Sequence, residues 1–492
     1  MRNVRLLAVG MGSALAVVAS LNWPAFAQVG TSSDPADKIN PPVSNCNLTP
    51  DTDTSKTPPV ATPITRDLLT AGQPCQQVVS TNGLVGNEKP GHEMANRQRG
   101  FDFYSWLTFI AMNSPADGKV IGQGPRPGGD ARTKWEDLQN YRPLGDVMLS
   151  KGEKPVWGAR NVPELCKPLD GPGKIVFQIG EEAFNQPFKS GPLIDQDGNF
   201  ALFDILMNQP MFDYIVDNGL YSKEGQQKFD QTIEFPIGNS PGKDKNSGAD
   251  IPGRMGAIML KVSYRILDPV KNQNLLSQFH TSDALIYFPG PTATKTGPAC
   301  VEKKLGLIGF HVGHKTNFAP QWVWSSFEHV SNAPDAADVG SNNLLRRYNF
   351  FNAACKKDCA AKNDTPPQPW DPDTSLKFKG DYRSQVIREK MVPTFILKEV
   401  ADLNRAFRAT LKGTVWENYV LLATQWPSDH ASKTDPLGAP TPTYLANTTL
   451  ETYSQGRIPL ASSSCMACHG NATTHHVPAI ASDFTFILEK AQ

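Results

Sequence analysis

Apolar positions along the chain change their spacing from segment to segment, and the spacing predicts the elements. Phe101 to Met112 (FDFYSWLTFIAM) is apolar on nearly every side and stops at Asn113-Ser114-Pro115. A helix apolar all round is a buried one, so core packing is the reading here. From Gly173 the texture turns to β-branched and aromatic residues, partly alternating and bounded by Gly, Pro or Asn/Asp. Strands are predicted at Ile175–Ile179, Phe200–Met207, Ala257–Leu267, Ala284–Phe288 and Leu305–His314. Pro210 to Asn218 reads as a short helix, with Pro in its first turn and Asn218-Gly219 ending it. In Phe395–Leu411 the apolar residues Ile396, Val400, Leu403, Phe407 and Leu411 recur at helical steps, and Gly413 is placed to cap the C-terminus. Trp416 to Trp426 returns to strand character. Strands grouped centrally with helices at both ends predict an α+β fold, a largely antiparallel sheet with flanking helices.

The ends of the chain differ from this body. Arg2 and Arg5 precede an apolar run from Leu6 to Leu21, and Ala25-Phe26-Ala27 supplies a cleavage site, so residues 1–27 read as a secretory signal peptide. Residues 28–64, rich in Pro, Ser, Thr and Asp, read as a linker or arm, residues 65–445 as the main body and residues 446–492 as a C-terminal segment. No later run is long enough to span a bilayer, so a periplasmic protein with no integral membrane segment after cleavage is expected. Without Arg2 and Arg5, 46 basic residues face 48 acidic ones, which gives no case for nucleic acid as a partner. The Gly/Pro stretch Gly118–Arg132 does not follow a strand as a phosphate loop would, and it is given no nucleotide role.

The chemistry concentrates near the C-terminus, in Ser464-Cys465-Met466-Ala467-Cys468-His469-Gly470. Two cysteines two residues apart, followed at once by histidine, form the attachment signature of c-type haem. Each thiol adds across one haem vinyl group, and the next residue, His469, is then placed to give the iron an axial imidazole nitrogen. A zinc half-site would want a second Cys/His pair, and Cys355 with Cys359 makes a poor one, having a three-residue gap and no histidine. The six remaining cysteines suit an oxidising compartment. Proximity in sequence suggests the pairs Cys46–Cys75, Cys166–Cys300 and Cys355–Cys359.

Only 23 residues follow His469, so any haem pocket must be built by residues upstream, with the attachment segment a short helix or loop packed on the main body. On a strand, Leu305, Leu307, Gly309, His311 and Gly313 would share one face, and Ile308, Phe310, Val312 and His314 the other. His311 between two glycines is then the first distal-ligand candidate, because a flat group could approach the backbone there. His314 follows, and His329 is either a third candidate or a core residue. His475 and His476 sit too close to the motif to reach over a haem edge, and the methionines read as core filler. An iron with no distal protein ligand is equally open.

Cys465-Met466-Ala467-Cys468-His469 resembles the c-type cytochromes. Together with Asn447–Tyr453 (NTTLETY) and Trp322–His329 (WVWSSFEH), it is similar to a group of large exported bacterial proteins carrying one C-terminal c-haem motif and no established activity. The resemblance implies one covalent haem c and electron transfer with a periplasmic redox partner. A haem-dependent, peroxidase-like oxidoreductase with an open distal site, and a haem-containing sensor or binding module, are the alternatives. No H-E-x-x-H or P-loop competes with these readings.

Overall fold

The computed structural model describes residues 93–492, apart from 117–120, 123–131, 181–182, 185, 240–241, 245–246, 252, 293–295, 318, 342–343, 345–346, 373, 390–391, 393, 429–439 and 456–463. The signal sequence, the linker and the Cys46–Cys75 pairing lie outside the described residues, as does most of the 118–132 loop. The described residues fall within one compact unit.

The fold is α+β. A nine-stranded, largely antiparallel sheet holds β1 (Tyr141–Pro143), β2 (Ile175–Gln178), β3 (Leu202–Asn208), β6 (Ile258–Leu267), β7 (Thr281–Phe288), β8 (Ala299–His314), β9 (Val323–His329), β10 (Tyr419–Pro427) and β11 (Pro440–Thr441). A separate two-stranded ribbon joins β4 (Gly242–Lys243) to β5 (Asp250–Ile251). The path runs β1-β3-β6-β8-β9-β10-β11, and β2 and β7 form the one departure from antiparallel pairing, lying parallel to each other. The helices are α1 (Glu93–Asn113), α2 (Gln209–Asp217), α3 (Lys223–Lys228), α4 (Thr394–Thr410) and α5 (Cys465–His469).

The 16-residue strand β8 is the centre of this arrangement. β6 pairs along its whole length, while β7 takes the half up to Gly306 and β9 the half from Gly309. The two halves are out of phase. Ser263 pairs with Gly309 and its neighbour Tyr264 with Leu307, so Ile308 is an extra residue, a β-bulge. Leu305 and Leu307 therefore join Phe310 and Val312 in one core, while Ile308 packs in another. This corrects the strict alternation expected from sequence, which put Leu305 and Leu307 on the same face as His311.

One face of the sheet carries α1 and α4. Trp106 stacks on Phe407 at 4.9 Å, Phe109 on Phe327 at 4.4 Å and Phe101 on Trp426 at 4.5 Å. The polar residues of α1 are absorbed by β9 and β10: Gln98 Nε2 donates to the Thr424 carbonyl, the Thr424 amide to Asp102, and Ser105 bonds Ser325 and Thr424. That sandwich explains a helix apolar all round. Ile396, Val400, Leu403, Phe407 and Leu411 are all buried, as their spacing predicts, and Gly413 adopts φ +83° after the helix. Trp416 to Asn418 form a 3-10 turn capped by Thr414 rather than the start of β10.

The opposite face carries α2 and the C-terminal segment, whose cores share Met207, Met211, Met259, Trp322, Trp324, Met466 and Phe484. The described residues of the 446–492 segment thus pack into the main body. Cys166 bonds Cys300, and Cys355 bonds Cys359, as proximity suggested. Among the described residues no helix is long and apolar enough to cross a membrane.

Candidate functional site

α5 is a five-residue helix with Ser464 as its cap, accepting from the Ala467 amide. On a helix, residues three and four apart share a face. Cys465, Cys468 and His469 stand on one such face and are all partly exposed, while Met466 points the other way and is fully buried. The helix is clamped to the sheet by Gln425, itself fully buried on β10. Its Oε1 accepts from the Met466 amide at 2.8 Å and the Ser464 hydroxyl at 3.2 Å, and its Nε2 donates to the Pro442 carbonyl at 2.7 Å.

His469 is held more firmly than its position near the chain's end suggests. Its Nδ1 lies 2.8 Å from the Phe484 carbonyl, so Nδ1 must carry the proton and donate. Nε2 is left with its lone pair free, the arrangement metal-ligating histidines adopt. Burial holds the imidazole neutral, with its pKa down at about 4. The Phe484 carbonyl is aimed by a strained turn in which Asp483 and Phe484 both have positive φ, 49° and 62°. Such residues cost about 1–3 kcal/mol each and need support from outside. Lys315 pairs with the Asp483 carboxylate, the Phe235 amide donates to it at 2.8 Å, and Trp322 Nε1 donates to the Asp483 carbonyl at 3.0 Å. The His469 ring rests between Trp324, at 4.5 Å, and Phe486, at 5.2 Å.

The thiols are neutral. Burial first, and then the nearby Glu451 carboxylate, push Cys468 up to about 11 and Cys465 well above the usual thiol range. A redox dithiol needs a lowered pKa, so the pair lacks the chemistry of one. Cys465 and Cys468 are not bonded to each other, and among the described residues no three His, Cys, Asp or Glu side chains converge as a metal site made of protein ligands alone.

Of the distal candidates, only His311 shares a sheet face with α5. Cross-strand pairing sets Lys261, His311 and Ser326 in one row and Met259, Gly313 and Trp324 in the next. His311 Nε2 lies 3.0 Å from Ser326 Oγ and 3.6 Å from Glu451 Oε2, and burial holds it neutral, at about 3. Burial raises Glu451 to about 7, with Lys261 opposing. The glycines flanking His311 are already covered. A Cβ at Gly309 would meet Ser263 Oγ at 2.4 Å and Thr449 Oγ1 at 2.5 Å, and one at Gly313 would meet Met259 at 3.0 Å and Trp324 at 3.4 Å. His314 points to the other face, where its Nδ1 bonds the Tyr104 hydroxyl of α1. That is the parity of the strand at work: three residues on from His311, the side chain must face the opposite way. His329 is a core residue, with Nε2 on the Gln278 carbonyl and Nδ1 on Ser331, stacked on Phe279 at 4.1 Å. His475 Nε2 bonds the Glu489 carbonyl and His476 Nδ1 the Pro478 carbonyl.

Lys261 and Gln425 escaped the sequence reading. Lys261 carried a signal, being the lone charged residue in the apolar start of a strand (IMLKVSY). Gln425 carried none, because its role depends on β10 lying under α5.

The residues present fit a covalent haem c: two neutral thiols and an imidazole with its Nε2 lone pair free share one partly exposed face. No family model, curated protein or solved structure matches this chain.

Proposed function

We propose that this chain is an exported, periplasmic c-type cytochrome-like protein that carries one haem on Cys465 and Cys468, with His469 Nε2 as axial ligand, and passes electrons to a redox partner. The observation that carries the reading is the hydrogen bond from His469 Nδ1 to the Phe484 carbonyl, which commits the other ring nitrogen to ligation. The neutral thiols and their common face with His469 support it, and the two cystines support export to an oxidising compartment. Bound there, haem supplies a one-electron ferric/ferrous couple. The chain's part is to fix the axial imidazole in one tautomer, exclude water from it with Trp324 and Phe486, and offer His311 from the facing sheet as the distal candidate.

One observation favours the oxidoreductase alternative. His311 is already engaged by Ser326 and lies beside Glu451, an arrangement suited to moving a proton near an open iron rather than to filling it. An absorption spectrum of the purified protein, oxidised and reduced, with and without carbon monoxide, tests both. A covalent haem spectrum that disappears in Cys465→Ala/Cys468→Ala is expected. Its absence from wild type made in cells competent for c-haem maturation would overturn the proposal. A reduced spectrum unmoved by carbon monoxide supports electron transfer, and a prompt shift supports the oxidoreductase.

A further inference from the structure

Two hydrogen-bond donors face the α5 segment without an acceptor. Lys261 is half-buried on β6, directly across from His311, and among the described residues its ammonium has no carboxylate within ion-pair distance; it lies over the face of Phe203, 5.6 Å from the ring centre. Its charge nevertheless bears on Cys468, His469, His311 and Glu451, which places it among them. Glu451, the one nearby carboxylate, is spent on the Asn447 amide at 2.9 Å and on His311. Trp324 is 6 % exposed, packs on the His469 ring, and its indole Nε1–H is buried without a partner. A buried donor is nearly always satisfied, so the Trp324 N–H left over against His469, with the half-buried Lys261 cation nearby, points to an acceptor that belongs to a ligand. On the haem reading above, the acceptors available are the two propionate carboxylates.

We propose that Lys261 and Trp324 form the carboxylate-binding edge of the haem site, the Lys261 ammonium pairing with a propionate and the Trp324 N–H donating to the same periphery. The inference rests on the haem assignment, and the test separates the two. Full-length wild type, Lys261→Met, Lys261→Arg, Trp324→Phe and the remote control Lys303→Met are made with c-haem maturation. Covalent haem is counted by mass, and the midpoint potential is measured from pH 5 to 9. Loss of a cation beside the haem favours the ferric state. Lys261→Met should therefore raise the ferric/ferrous ratio at fixed potential about tenfold, a downward shift of about 59 mV for one electron. Lys261→Arg should restore the ratio, Trp324→Phe should move it in the same direction by less, and Lys303→Met should leave it unchanged. A Lys261→Met ferric/ferrous ratio within a factor of two of wild type at every pH overturns the proposal. Should the Met variant not accumulate, Lys261→Gln is read in its place, and failure of Arg to behave better than either neutral residue also overturns it. Wild type without covalent haem refutes the parent assignment instead.

Discussion

Replacing Gln425 by Leu tests whether one side chain fastens the C-terminal segment to the sheet. The substitution keeps a similar volume, so the cavity contribution is small and the hydrogen bonds dominate. Three bonds vanish, at 2.7, 2.8 and 3.2 Å, and two backbone groups lose their partner, the Met466 amide and the Pro442 carbonyl. Each unsatisfied buried group costs about 1–3 kcal/mol, so the expected loss for the two is about 2–6 kcal/mol. At about 3 kcal/mol, local opening becomes about a hundredfold more frequent. Hydrogen exchange followed by mass spectrometry should show faster exchange of the peptide covering 464–470 by that factor, with α1 and β6 far less affected. Gln425→Glu keeps an acceptor for Met466 but sets an oxygen against the Pro442 carbonyl, so it should loosen 440–442 at least as much. Unchanged protection of 464–470 in Gln425→Leu would refute the clamp, whatever happened to global stability.

Acid should destabilise the fold partly through its buried neutral histidines. His314 is held at about 3 by burial, so below pH 6.5 the unfolded chain binds a proton that the native state refuses, and stability falls as pH drops from 6.5 toward 3. His314→Gln should make that fall shallower in urea titrations at pH 4 and 6.5, and an unchanged slope would show that His314 contributes nothing to it. The two cystines should differ under mild reductant: Cys359 is exposed and Cys355 half-buried, so this pair should be alkylated first, while Cys166 is fully buried and its bond should survive until unfolding. Losing the Cys166–Cys300 link, which closes a 134-residue separation, should cost about 4–5 kcal/mol in denaturant unfolding.

Much of the fold was legible because burial dictates period. α4 buries one stripe and showed a helical repeat, β3 and β6 fell close to their predicted bounds, and Asn208, two residues before the expected helix, caps α2 by accepting from the Met211 amide. β9 was invisible as a strand. All seven of its residues are buried, so no solvent face imposes alternation, and its Ser325, Ser326 and Glu328 are accommodated because α1, His311, Arg388 and residues 447–448 supply partners. Of the site, the three residues of α5 could be read from their spacing, since the chemistry is local. The strained turn that aims the Phe484 carbonyl could not, and neither could the row Lys261–His311–Ser326, because a cross-strand register leaves no mark in any one segment.

The extra residue at Ile308 gives β8 a phase slip, much as a half-wave delay does in a transmission line. Upstream of it the strand carries the signal of one core, with Leu305 and Leu307 packed beneath α1; downstream the same parity delivers His311 to the opposite side. The two halves also answer to different neighbours, β7 before the slip and β9 after it. Losing the single residue 308 would return the strand to strict alternation, with Leu305, Leu307 and His311 each on the side it now faces. A long strand built this way stays registered at both ends through β6, with one residue of slack between them.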